Sequence, residues 1–390
     1  MSATIKTSHA GSLPRPDDLI GDAGQTLTDE ELAAAVAGVV ARQRQIGIDI
    51  VNDGEYGHAL GARYDYGGWW TYMRDRLDGL ELVDPATLGV PSSTRQPGEI
   101  SLASFGERRD RQQFAEAYAD PASGCALPGT PQMVTVCRGP LTYKGQERVQ
   151  RDISNMKAAL ATAGLKDGFL NAVAPGSCAR FRNEFYKSDE ELVYACADAM
   201  REEYRAIIDA GLMLQLDDPA IADSWDQISP EPTVEEYRRF TTIRIEALNH
   251  AIRDLPAERI RFHLCWGSWH GPHVTDIPMA TIVDLMLRIN AGSYTFEAAN
   301  VRHAHEWRVW EEVKLPEGKK ILPGIVSHST NVVEHPELVA ERISRFASLV
   351  GAENVVASTD CGLGGRVHPQ VAWAKLEALV EGARLASALA

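Results

Sequence analysis

The feature that most constrains this chain is a rhythm. Short β-branched runs alternate with amphipathic stretches, and most of the runs stop on a polar or ionisable cluster. Strand and helix repeated in this way build a parallel sheet covered by helices. About nine runs qualify as strands, beginning near Thr4, Ile48, Met133, Phe169, Leu212, Ile260, Ser293, Lys320 and Val355. Thr28 with Glu31 and Ser188 with Glu191 have capping-box spacing, which predicts helices over 28–46 and 188–210. An Ala- and Leu-rich stretch predicts a last helix at about 370–388. The expected fold class is α/β, a TIM (β/α)8 barrel. Eight strands close such a barrel, so one run is surplus, and Phe169–Val173 is the one expected to be an extra element. Residues 56–130 break the rhythm and are rich in Gly, Pro, Arg and aromatic side chains. They read as a long insertion after the second strand, a lid on the barrel face within a single catalytic domain spanning 1–390.

Composition narrows the partners. The 390 residues carry 54 acidic and 39 basic side chains, a formal net charge of -15, with no basic run. The resulting field repels nucleic acid and anionic membrane and favours small-molecule partners. No apolar stretch approaches the roughly 18 to 20 residues of a spanning helix, and the first residues lack a signal layout, so the expectation is a cytoplasmic protein. Cys125, Cys137, Cys178, Cys196, Cys265 and Cys361 are too sparse for a disulfide framework and fit a reducing compartment.

In a parallel barrel the chemistry sits at the carboxyl ends of the strands. Those ends read His9-Ala10-Gly11-Ser12, Asn52-Asp53-Gly54-Glu55, Asp217-Asp218-Pro219, His263-Leu264-Cys265, Glu297-Ala298-Ala299-Asn300, Ser327-His328-Ser329 and Asp360-Cys361-Gly362. His263 and Cys265, two apart on an extended strand, point to one face. With Cys361 and Glu297 from other strand ends they form a plausible N, S, O, S donor set for zinc. Ligands scattered over three strands favour a catalytic ion over a structural one. Two thiolates and a carboxylate would leave the zinc centre near minus one, a poor activator of water and a good holder of an incoming thiol. Gly362, Gly364 and Gly365 are expected to let the backbone approach a ligand or metal.

Gly11-Ser12-Leu13-Pro14, Gly54-Glu55, Gly139-Pro140-Leu141-Thr142, Asp217-Asp218-Pro219-Ala220, His263-x-Cys265, Glu297 and Asp360-Cys361-Gly362-Leu363 together resemble the catalytic half of cobalamin-independent methionine synthase, in matching order over nearly the whole chain. The resemblance implies a TIM barrel with one catalytic Zn2+ and methyl transfer from a methylated folate to homocysteine, the last step of methionine biosynthesis. It implies zinc at His263, Cys265, Glu297 and Cys361. It places Ser12 at the substrate carboxylate, Glu55 and Asp217 at its ammonium group, and His328, with Asp217, among the catalytic residues, His328 helping to move a proton.

Asp217-Asp218 stands where the family has Asp-Glu. Segments such as Trp266-Gly267, His305-Glu306-Trp307 and Glu334-His335-Pro336 look closer to short single-barrel relatives, which include epoxyalkane:coenzyme M transferases. Opening of an epoxide by a zinc-bound thiolate is therefore the second reading. A metal-free barrel of the uroporphyrinogen decarboxylase type is the third. In the insertion, Trp69, Trp70 and Tyr72 either stack on a flat donor or build a small core of their own. Arg63, Arg74, Arg76, Arg108, Arg109 and Arg111 either meet an anionic tail or face solvent. His9, His58, His270, His273, His303 and His305 stay unassigned.

Overall fold

Among the described residues each of the nine runs forms a strand, and two short strands join them. A computed structural model describes residues 4–16, 19–20, 28–58, 68–88, 100, 102, 105–125 and 133–389. The strands are β1 (Lys6–Thr7), β2 (Val51–Asn52), β3 (Leu80–Val83), β4 (Val134–Cys137), β5 (Gly168–Val173), β6 (Arg182–Asn183), β7 (Met213–Asp217), β8 (Ile260–His263), β9 (Ser293–Phe296), β10 (Lys320–Val326) and β11 (Val356–Thr359). Eight of them form one parallel sheet in the order β1-β11-β10-β9-β8-β7-β5-β2. Ile50 N–H donates to Thr7 O at 3.1 Å, joining the two ends of that order into a TIM barrel.

The surplus strand is β4, not the Phe169–Val173 run. All six residues of β5 are buried, as a strand covered on both faces must be, and β5 pairs in parallel with β2 and β7. β4 instead pairs antiparallel with β3, from the insertion, and parallel with β6, in a separate three-stranded sheet.

The outer helices begin and end where local chemistry tells them to. Thr28 caps the helix Asp29–Ile46 with a complete capping box, and Gly47 closes it in the left-handed region. Ser188 caps Asp189–Asp209 by accepting from Glu191 N–H, while the Glu191 carboxylate accepts from Lys187 N–H. The last helix runs Pro369–Leu389. Among the described residues no helix is long and apolar enough to cross a membrane, and all six cysteines are free thiols.

The insertion is anchored by ion pairs. Arg108 is fully buried, donates to Asp223 and Asp226 at 3.0 and 3.3 Å, and lies 3.6 Å from the Trp269 ring centroid. Arg76 pairs with Glu203 and Asp152, Arg109 with Glu231; Arg74 and Arg111 bond to Thr71 and Gly106. These arginines hold the fold, and Arg63 lies outside the described residues. The rings of Trp69 and Tyr72 pack around His58, the Tyr72 hydroxyl donates to Glu203, and Trp69 and Trp70 lie against the main core.

Candidate metal and thiol site

The carboxyl ends of β8 and β11 bring together His263, Cys265 and Cys361, with one ligand atom from each within 4.8 Å of the others. The Cys265 thiol donates to Cys361 Sγ at 3.7 Å, and Gly267 N–H donates to Cys265 Sγ at 3.2 Å. Sharing that proton draws Cys361 down, to about 6, and holds Cys265 well above the usual thiol range; burial resists the first shift and reinforces the second.

The His263 imidazole is committed on one side only. Its Nδ1–H donates to Asp217 Oδ1 at 2.6 Å, an arrangement set by the register that pairs Asp217 with His263 across β7 and β8. Its Nε2 is buried without a hydrogen-bond partner among the described residues. Burial opposes the imidazolium, but the Asp217 bond and charge outweigh it and raise His263 to about 9. One nitrogen locked on a carboxylate and the other facing two sulfurs suits a soft divalent cation.

Glu297 sits in an adjoining buried trio with His328 and Asp360. It accepts from Trp266 N–H at 2.8 Å and from the Asn300 amide, and burial pushes it up to about 8. Asp360 takes three backbone donors, Ala298, Ala299 and Asn300, at 2.7 to 2.8 Å. His328 Nδ1 has no partner among the described residues; burial, then Arg366 and neighbouring histidines, hold the ring neutral, well below its ordinary value.

Across the mouth, Ser12 and Glu55 come from the loops after β1 and β2. The Ser12 hydroxyl donates to Gly364 O at 3.4 Å, and its carbonyl accepts from Leu363 and Gly364. A Cβ on Gly362 would lie 2.2 Å from Ser12 Oγ, so this glycine makes room for the β1 loop. Glu55 is held at φ 60°, and a Cβ on Gly11 would fall 2.2 Å from its Oε1. Burial, followed by repulsion from Asp217 and Asp53, raises the Glu55 carboxyl well above the usual range. Asp217 itself is occupied by protein donors: His263, Gln215 at 2.9 Å and Asn171 at 2.9 Å.

Three groups went unnoticed in the sequence. Asn171, Gln215 and Arg261 lie inside the barrel, the latter two each a spacing of two before a rim residue, the signal that revealed His263-x-Cys265. Asp360 was seen only as part of a turn. His303 and His273 form a buried network with Asp276 and Glu306 beside this site, with contacts of 2.8 to 3.1 Å.

Residues 132–385 match the family described as the catalytic domain of cobalamin-independent synthase. The methionine synthase of Saccharolobus islandicus is 21% identical over 98% of this chain and 94% of that protein. The 2-hydroxypropyl-CoM lyase of Xanthobacter autotrophicus is 27% identical over 99% and 96%. Among solved structures, a B12-independent methionine synthase from Shewanella sp. W3-18-1 in complex with selenomethionine superposes with a TM-score of 0.69 at 22% identity, over 98% of both chains, and shares the fold. Its matched span, two-thirds of its length and containing every thiol and imidazole of the rim trio, makes this chain a member of the cobalamin-independent methionine synthase catalytic-domain family.

Proposed function

We propose that this chain is a zinc-dependent thiol alkyltransferase, acting in the reducing cytoplasm, whose first acceptor is homocysteine and whose product is methionine. The single observation that carries the reading is His263, with Nδ1 fixed by Asp217 and Nε2 unpartnered beside two sulfurs 3.7 Å apart. His263, Cys265 and Cys361 would hold the ion, and Glu297, from the adjoining trio, would be a fourth donor. Zinc, when bound, supplies acidity, keeping a thiol as its nucleophilic thiolate at neutral pH.

The chain's own groups do the rest. Ser12 receives the carboxylate of the acceptor and Glu55 its ammonium, whose charge relieves the repulsion among Glu55, Asp53 and Asp217. Asp217 orients His263 and adds its field at the ammonium. His328, its Nδ1 unpartnered among the described residues, is the group through which a proton would pass during the transfer. The insertion would serve as a lid, its described part secured by Arg108 on Asp223 and Asp226. The partners are thus a small thiol and an alkyl donor, methylfolate first.

A second reading, epoxide opening by a sulfonate-bearing thiol, is favoured by the 27% identity to the 2-hydroxypropyl-CoM lyase and by the charge of Arg366, felt at both Cys361 and His328. The metal-free decarboxylase reading has no use for paired sulfurs beside an open imidazole nitrogen. Metal analysis, followed by methylfolate, methylcobamide and small epoxides offered against homocysteine and coenzyme M with mass-spectrometric readout, tests all three. Stoichiometric zinc and methionine are expected. Product from an epoxide alone would reverse the order, and absence of zinc with intact activity would end the proposal.

A further inference from the structure

Asn171, Gln215 and Arg261 occupy paired register positions on β5, β7 and β8, one layer below the rim. All three aim donors at the segment that follows β1. Gln215 Nε2 donates to Ala10 O at 2.7 Å, Arg261 Nη2 to His9 O at 3.0 Å, and Asn171 Nδ2 reaches Ala10 O at 3.5 Å. From β2, Asn52 Nδ2 donates to Gly11 O at 3.2 Å; from β11, Thr359 Oγ1 accepts from Ala10 N–H at 2.9 Å. Residues 9–11 are therefore held from both sides, and Ser12 follows directly.

A primary amide carries two hydrogens, and the Gln215 nitrogen uses them on two different segments. One goes to Ala10 O, in the strap that carries Ser12. The other goes to Asp217 Oδ1, at 2.9 Å, and the same oxygen accepts from His263. Turning the amide over would set its oxygen against two acceptors, so its orientation is determined by its neighbours. One buried side chain thus spans the imidazole of the proposed metal centre and the backbone that presents Ser12.

We infer that Gln215 fixes the span between the sulfur-binding and carboxylate-binding ends of the site and so selects the chain length of the thiol, acting as a specificity-determining positioning residue. The inference rests on the thiol reading given above. A thiol one methylene shorter than homocysteine cannot reach both ends of a fixed span, and one methylene typically discriminates by roughly 10- to 200-fold. Without the Gln215 bridge the strap can shift and admit the shorter chain.

The test uses cobalt(II)-substituted full-length protein titrated with L-homocysteine and L-cysteine, following the sulfur-to-cobalt absorption. The wild type should bind homocysteine at least about tenfold more tightly. Gln215→Met, nearly equal in volume and without donors, should bring the ratio close to one while the cobalt content stays at the wild-type level. An unchanged ratio, or loss of cobalt in this variant, overturns the inference. Thr359→Val loosens the strap from its other side without touching Asp217 or His263. It should narrow the ratio in the same direction, and if Gln215→Met does not fold, an unchanged ratio in Thr359→Val overturns the inference instead. A wild-type spectrum that neither thiol alters overturns the thiol reading beneath it.

Discussion

The two halves of the barrel mouth answer negative charge differently. On the β8, β9 and β11 side backbone donors converge, three N–H groups on Asp360, Trp266 N–H on Glu297 and Gly267 N–H on Cys265, although burial still lifts Glu297 to about 8. On the β1 and β2 side, Asp53 and Glu55 share one tight turn with Glu55 in the left-handed region; Asp53 Oδ1 accepts from Glu55 N–H at 2.9 Å, yet burial, followed by repulsion from Asp152, pushes Asp53 up to about 7. The first half is preorganised for a charged centre. The second stores conformational and electrostatic tension that a cationic group relieves.

The largest test of this contrast lies in the first half. Cys265→Ser or Cys361→Ser should abolish stoichiometric zinc and cut thiol alkylation by at least about a thousandfold, roughly 4 kcal/mol of transition-state stabilisation; full zinc content in either variant would break the comparison. Next comes His9, in the second half. Its Nε2–H donates to Gln43 at 2.8 Å, and burial drives the ring down to about 4. The unfolded chain takes up this proton first as pH falls, so stability is complete above about 6.5 and about 3 kcal/mol of it is lost between 6.5 and 4. Denaturation at a series of pH values should show that slope in the wild type and a flatter one in His9→Gln.

Glu55→Gln should leave zinc untouched and raise KM for an amino-acid thiol about 10- to 100-fold, as expected for losing a charged hydrogen bond. An unchanged KM would move ammonium recognition elsewhere. Asp217→Asn retains an acceptor for His263 but loses the charge, and metal affinity should weaken by about tenfold, the lower end of what such supporting groups contribute. Competition with a chelator measures it.

Legibility in the sequence followed the range of the interactions. The nine strands were visible because alternation and burial are written within each run. Choosing which run lay outside the barrel failed, because β4 is decided by β3, a partner from the insertion that no periodicity announces. His263, Cys265 and Cys361, which the fold brings together, could be picked out by spacing and by their places at strand ends. The hydrogen bond of Asp217 to His263 depends on register between two strands, and the role of Gly362 on the approach of a third loop, so neither can be read from one segment. Gln215 and Arg261 were within reach, since residues two before a rim position face the same way.

Asp360 ties the turn after β9 to the start of the turn after β11 through a single carboxylate, while Cys361 is its next neighbour in the chain. Those two turns are thereby latched to each other, and under the proposed function a shift of Cys361 would be passed along this latch to the segment that begins at Glu297.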